Sequence, residues 1–360
     1  MLLLLSLLTF ITLMVTVVPI LHNAHWAIRG FDFPRLQLAI LAAFLLLAQI
    51  FFLDFNLATS WFMCLIVFLC CCYHLWWILP YTKLWPVEVL ATKDHAAERQ
   101  LSIITANVLM PNRGANKLIE LVRLHQPDVL VTLETNQWWQ DQLDVLKTDM
   151  PYTINCPLDN LYGMHVYSRL ALDDIDISFL VEDDVPSMHA LLKLRTNDWV
   201  RVHFLHPAPP SPTENEESSE RDAELVIVAR SVASSKQPTI VTGDLNDVAW
   251  SRTTRLFRKL SGLLDPRIGR GMFNTFHANY PFLRWPLDHL FHSEHFTIHS
   301  IQRLPSIGSD HFSLLTKLSF TPKTESEQSG LEADSEEKAF ATKITEDQNV
   351  SKLDVPAPGE

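Results

Sequence analysis

The residues that could do chemistry fall into short, similar groups. Gly243-Asp244-Leu245-Asn246 closes one apolar run, Leu287-Asp288-His289 opens another, and Ser309-Asp310-His311 precedes a third. Upstream, Asn107, Glu134 and His206 each stand at or just past the end of an apolar run that reads as a strand. Carboxylates, carboxamides and imidazoles gathered at strand ends suit in-line attack on phosphorus. A hard cation such as Mg²⁺ takes oxygen ligands, and the reaction needs a base, an acid and charge neutralisation.

Alternation places Asp244 and Asn246 on one side of the chain. Asp244 can then orient a nucleophile, and Asn246 can donate to a phosphoryl oxygen. His311 can exchange a proton near neutral pH, and Asp288 can fix the tautomer of such an imidazole. Glu134 follows the buried run Val129–Leu133 and suits a Mg²⁺ ligand, with Asn107 offering a further oxygen. His206 leads into Pro207–Ser219, a polar, Pro-rich loop of the kind often found near function. Taken singly, each residue has an ordinary alternative, because Gly-Asp-x-Asn turns cap helices and strand-end acids often face solvent. Six positions in order, each at a strand end, are not independent accidents.

The elements that must carry these residues alternate unevenly. Strands are expected at 101–107, 129–133, 152–155, 163–168, 175–181, 188–194, 199–205 and 239–242. Further strands are expected near 272–276, 288–292, 296–303 and 312–319. Helices are expected at 115–125, 138–146, 220–233 and 250–260. Strands outnumber helices, which favours two packed sheets flanked by helices over a doubly wound parallel sheet.

Residues 1–82 are overwhelmingly apolar and predict three membrane helices, Leu2–Leu21, Leu36–Leu53 and Trp61–Leu79. Trp61, Trp76, Trp77 and Tyr81 near the ends of the third suit a membrane interface. A cleaved signal peptide is the competing reading of the first segment, but no basic n-region or small-residue cleavage site supports it. Arg29 and Arg35 lie in the first loop, none in the second, and Lys83, Lys93 and Arg99 follow the third segment. That asymmetry places the first loop and everything after residue 82 on the cytoplasmic side.

Residues 83–99 read as a linker, 100–321 as the catalytic-type domain, and 322–360 as an acidic tail. The tail holds ten acids against four lysines, with no periodic apolar face, and predicts disorder. A net charge of −12 excludes a general nucleic-acid coater. Residues 251–303 are locally basic, with eight Lys or Arg against three acids, and could hold a phosphate close to the site. Cys156 stands alone outside the apolar segments, so no internal disulfide or cysteine metal site is expected there.

In order and type, these motifs resemble the endonuclease/exonuclease/phosphatase family, which includes deoxyribonuclease I and neutral sphingomyelinases. The resemblance runs through Thr105-Ala-Asn107, Pro127–Glu134, Gly163–Arg169, His206-Pro-Ala-Pro, Gly243–Asn246, Trp285–His289 and Ser309–His311. It implies a four-layer α/β/β/α sandwich of two mixed sheets behind the three membrane helices. It also implies Mg²⁺, for which Mn²⁺ can substitute, bound by Asn107, Glu134 and Asp310. Asp244 and Asn246 would orient water and contact phosphate. His311 would be the general base, with Asp288 orienting it, and His206 would lie near the scissile phosphate.

The expected protein is therefore a hydrolase of phosphoesters in a bacterial-type inner membrane. Nucleic acid and phospholipid remain open as substrates, and no protein partner is inferable. A catalytically silent, membrane-tethered binding or scaffolding protein is the alternative, and the intact motif set argues against it.

Overall fold

The computed structural model describes residues 1–21, 23–93, 96–322 and 328–359. Its apolar start forms α1 (Leu2–Val17), a short α2 (Trp26–Arg29), α3 (Arg35–Phe52) and α4 (Ala58–Ile78). With their terminal turns, Leu2–Leu21, Arg35–Phe52 and Ala58–Tyr81 are long and apolar enough to cross a membrane. Two polar contacts hold these helices together. Gln49 Nε2 donates to Thr9 Oγ1 at 2.7 Å, and Thr16 Oγ1 lies 3.0 Å from His74 Nε2.

The remainder is a sandwich of two mixed sheets. The first sheet uses β1 (Gln100–Asn107), β2 (Val129–Leu133), β3 (Tyr152–Cys156), β4 (Met164–Ser168), β10 (Phe296–Arg303) and β11 (Leu314–Phe320), ordered β10-β11-β1-β2-β4-β3. The second uses β5 (Leu172–Ser178), β6 (Ser187–Lys193), β7 (Trp199–Leu205), β8 (Thr239–Asp244) and β9 (Asp288–His292), ordered β5-β6-β7-β8-β9. Each sheet contains one parallel pair, β1 with β2 and β7 with β8. Helices α5 (Ala115–His125) and α6 (Gln137–Leu143) cover the first sheet, while α7 (Ser219–Ser234) and α8 (Arg252–Ser261) cover the second.

Side-chain alternation decides which residues meet between the sheets. Leu101 and Ile103 of β1, Val202 and Phe204 of β7 and Ile240 of β8 enter the central apolar layer. Ile104 and Val241 face outward onto helices. The same period of two points Thr105, Asn107, Thr242 and Asp244 inward. Thr105 Oγ1 and Thr242 Oγ1 meet across the sandwich at 2.8 Å.

Three expectations need correction. Residues 272–276 form no strand. Phe276 makes only isolated bridges to Trp285 and His311, in a segment broken by Gly269, Gly271, Pro281 and Pro286. Residues 83–99, where described, are no free tether. Val89 is fully buried in the central core, and residues 90–92 exchange backbone hydrogen bonds with Ile298 at the edge of β10.

The acidic tail is also partly folded. Residues Ser335–Asp347 form α9, opened by a capping box in which the Asp334 side chain accepts from Glu337 N and Glu337 accepts from Asp334 N. Ala341 is buried against Val226 and Leu256, with Phe340 and Ile344 beside it, and Arg230 donates to Thr342 Oγ1 at 2.7 Å. An acidic average conceals that short apolar stripe.

Substituting Ala341→Asp should bury an unpartnered carboxyl and cost about 2 kcal/mol or more. A lowered thermal midpoint would report this, and an unchanged midpoint would show the helix to be detached.

Candidate active site

The carboxyl ends of both parallel pairs open into one cavity. Asn107 ends β1 and Glu134 follows β2, whereas His206 follows β7 and Asp244 ends β8. Asp288 begins β9 directly opposite Asp244, and Asp310 and His311 sit in the loop before β11. The cavity is about 310 Å³, with Glu134, His206, Asn246, Asp310 and His311 among its lining residues. Asn107, Asp244 and Asp288 are buried behind it.

Hydrogen bonds fix the set. Asn107 Nδ2 donates to Glu134 Oε1 at 2.7 Å and to Asp244 Oδ2 at 3.1 Å, linking the two sheets. His311 Nδ1 is 2.8 Å from Asp288 Oδ2, and His311 Nε2 is 3.4 Å from Asp244 Oδ2. Ser309 Oγ donates to Asn107 O at 2.8 Å and accepts from His311 N at 3.0 Å, tying the histidine loop to β1. Asn246 N donates to Asp244 Oδ1 at 2.9 Å, and Asn246 Nδ2 donates to Pro207 O at 3.0 Å.

Two backbone features support this geometry. Glu134 and Asn246 both adopt positive φ, 59° and 51°, a conformation that costs energy outside glycine. Gly243 has φ of 156°, and a Cβ there would lie 1.8 Å from Leu205 O, so only glycine allows β8 to approach β7 so closely.

Electrostatics refine the expected roles. Burial pushes Glu134 up to about 7, reinforced by Asp310 and Asp244 and opposed by Asn107 and His311. Asp244 is also raised, first by burial and then by Asp288. Burial would lower His311, but Asp288, Asp244 and Asp310 override it and lift the imidazole to about 10. With these three carboxylates around it and no cation bound, His311 favours the imidazolium form, whereas the resemblance implies a general base there. His206 goes the other way: burial lowers it to about 4, so it stands as a neutral imidazole with Nδ1 unpartnered.

The donor chemistry fits a hard divalent cation. Glu134 Oε2 is buried with no hydrogen-bond partner, and Asp310 lies close enough to raise its pKa. Asn107, expected to offer an oxygen, instead aims its amide nitrogen at the carboxylates, and its Oδ1 accepts from Leu109 N at 3.1 Å. Asp244, Asp288 and His311 form a second candidate set, their ligand atoms within 4.8 Å of one another. Both of those carboxylates already face the His311 imidazolium, so the Glu134 side is the better fit.

Several lining residues escaped the sequence reading. Phe33, Tyr162, Phe276 and Leu287 line the cavity, as do Pro209, Pro210 and Glu214. The last three belong to the Pro-rich loop, whose position after His206 was the available signal. Phe33 comes from the apolar N-terminal region and left none. The basic stretch divides: Arg284 and Arg303 lie over the ring of Phe312, beside His311, and the others pack elsewhere. Arg258 pairs with Glu88, Arg267 pairs with Asp265 at 2.8 Å, and Arg252 and Arg255 lie over the rings of Phe340 and Trp77.

A model of the Endonuclease/Exonuclease/phosphatase family matches residues 104–311. No curated protein matched the chain. Among solved structures, D. rerio TDP2 humanized by 14 mutations is 16% identical, with a TM-score of 0.51, over 61% of this chain and 99% of that one. D. rerio TDP2 complexed with a single-strand DNA product gives the same values. The human Nocturnin catalytic domain with bound sulfate is 17% identical, with a TM-score of 0.50, over 63% of this chain and 95% of that one. At these identities the likeness establishes the four-layer fold.

A protonated Glu134 competes with a cation. Its proton is held more tightly in the native state, so native stability falls as pH rises from about 4.5 through about 7 unless a cation replaces it. The thermal shift produced by Mn²⁺ should accordingly grow between about pH 6 and pH 8, with apparent affinity changing up to about tenfold per unit below pH 7. Glu134→Gln should abolish the shift; a shift independent of pH would refute this assignment.

Proposed function

Because the chain belongs to the endonuclease/exonuclease/phosphatase family of metal-dependent phosphoester hydrolases, we propose that it is a membrane-anchored, Mg²⁺-dependent enzyme splitting a phosphoester with activated water. The observation that carries this reading is the convergence of Glu134, Asp244, Asp288, His206 and His311 from two sheets on one cavity.

Asp244 positions the attacking water. Burial makes it more basic than a surface aspartate, so it can take the water's proton as attack proceeds. His311, held protonated by Asp288, offers its Nε2 proton to a phosphoryl oxygen. The Asn246 amide, already turned by its bond to Pro207 O, has a second N–H for the same purpose. Neutral His206 can donate one hydrogen bond to the leaving oxygen. A divalent cation held on the Glu134 and Asp310 side supplies charge neutralisation when bound.

The three apolar helices anchor the domain, and Arg29 and Arg35 place the first loop on its side of the membrane. By the distribution of basic residues that side is cytoplasmic.

The test uses the full chain in detergent with bis-p-nitrophenyl phosphate and Mg²⁺, Mn²⁺ or chelator. Asp244→Ala and His311→Ala should each lower metal-dependent turnover by about 10²- to 10⁴-fold, and His311→Ala should also lower the thermal midpoint because it strips Asp288 of its partner. Near-wild-type turnover in either variant would defeat the assigned mechanism.

A further inference from the structure

We propose that the substrate is a membrane lipid, whose headgroup phosphoester enters the site from the bilayer surface on which the domain sits. This rests on the phosphoesterase reading and specifies its substrate.

The first observation is where the cavity opens. Phe33 lines it together with Asp310 and His311, and Phe33 lies two residues before α3, one of the candidate membrane spans. Its ring meets Trp285 edge-on, with centroids 5.7 Å apart. Ala39 of α3 and Ile78 of α4 share one apolar cluster with Trp250 and Leu287 of the globular domain, and Phe33 and Phe276 pack against it. The reacting centre is therefore walled on one side by the end of the membrane helices.

The second observation is the loop beside that wall. Gln37, in the first turn of α3, donates Nε2 to Phe282 O at 2.8 Å. This holds Tyr280, Phe282 and Leu283 next to the start of a span, with 57%, 86% and 48% of their surfaces exposed. The exposed apolar face of α3 begins one turn further on, at Ile40, Leu41 and Phe44. The loop continues that lipid-facing surface at the level where aromatic side chains prefer the membrane–water boundary.

The third observation is the chemistry of the cavity. Its lining pairs Glu134, Asp310, His206 and His311 with an apolar side of Phe33, Leu161, Pro209, Pro210 and Phe276, and Glu214 also faces it. Among the described residues lining it there is no Lys or Arg. A polynucleotide needs a cationic track for its backbone. Arg252, Arg255, Arg258 and Arg267 are committed to ion pairs and ring contacts elsewhere. Arg284 and Arg303, beside the cavity, turn onto the Phe312 ring and the carbonyls of Ala278 and Asn274. A lipid presents one phosphoester next to an apolar body, matching a cavity that sets polar groups against an apolar side. The volume, near 310 Å³, suits a compact headgroup.

In the reaction, water oxygen bonds to phosphorus and one P–O ester bond breaks. The bonding pair leaves with the alcohol oxygen, which takes a proton, giving a phosphomonoester and an alcohol without redox change.

The full chain would be assayed in mixed micelles of detergent with phosphatidylethanolamine and phosphatidylglycerol in equal parts. Bis-p-nitrophenyl phosphate and a single-stranded oligonucleotide would be run in parallel. Phospholipid turnover should rise with the mole fraction of lipid in the micelle at constant bulk lipid. The double variant Phe282→Glu/Leu283→Glu should lower lipid turnover by about tenfold or more, yet leave the soluble diester within about twofold, because charge expels the loop from the lipid surface and neither residue lines the cavity. Oligonucleotide cleavage without phospholipid cleavage would overturn the lipid assignment while the phosphoesterase reading stands, and so would wild-type lipid turnover in the double variant. Failure to turn over any of the three substrates with either metal would overturn both.

Discussion

The site is governed by one constraint: several carboxylates are crowded into a water-poor space between two sheets. Asp244 and Asp288 are buried, and Glu134 and Asp310 stand at the rim. Unrelieved, such a group would drive protonation or unfolding. Relief comes from two fixed sources, the His311 imidazolium between Asp288 and Asp244 and the Asn107 amide between Asp244 and Glu134. Two demands are left over, the unpartnered Oε2 of Glu134 and Oδ1 of Asp288, and an added cation is most useful at the first, which faces the cavity. Metal affinity and charge crowding are then two sides of the same arrangement.

The sandwich exists in a form that makes this crowding possible. Each sheet brings one parallel pair whose carboxyl ends point the same way, and the Thr105–Thr242 contact sets the pairs face to face. Below that contact the interlayer is largely apolar, with Thr316 opposite Ile103 and His292 opposite Ile240 as polar exceptions; above it the same alternation delivers Asn107 and Asp244. The change from core to catalytic chemistry happens within a single strand repeat. The rigid apolar layer therefore holds polar groups that would otherwise repel one another.

What could be read from the sequence follows from the range of the forces involved. Strand ends, the inward phase of Asp244 and the buried run before Glu134 are local patterns, and they placed the fold and the site residues in view. The charge on His311 could not be read, because it depends on three carboxylates from β8, β9 and its own loop. Phe33 was equally invisible, since its position in the cavity wall arises from contact between regions more than a hundred residues apart. The tail erred in the opposite direction. Its average composition hid Phe340, Ala341 and Ile344, although Asp334 and Glu337 carried a legible capping signal. Averages over a window lose the few apolar residues on which a short helix depends.

Arg29 ties the apolar N-terminal region to the globular domain by charge. It lies buried among Asp247 at 3.5 Å, Asp32 at 3.8 Å and Asp222 at 3.9 Å, and it donates to Thr253 Oγ1 at 2.8 Å. Asp247 adjoins Asn246, whose carbonyl accepts from Arg221 at 2.6 Å. Arg221 faces Asp222 at 3.0 Å and Asp247 at 3.6 Å, so the two guanidinium groups together neutralise the buried carboxylates beside the catalytic loop. The turn bearing Arg29 lies between two apolar segments. The loop that carries Asn246 is thus fastened to the apolar N-terminal region by charge as well as by packing, and a change in that turn reaches the cavity without touching a lining residue.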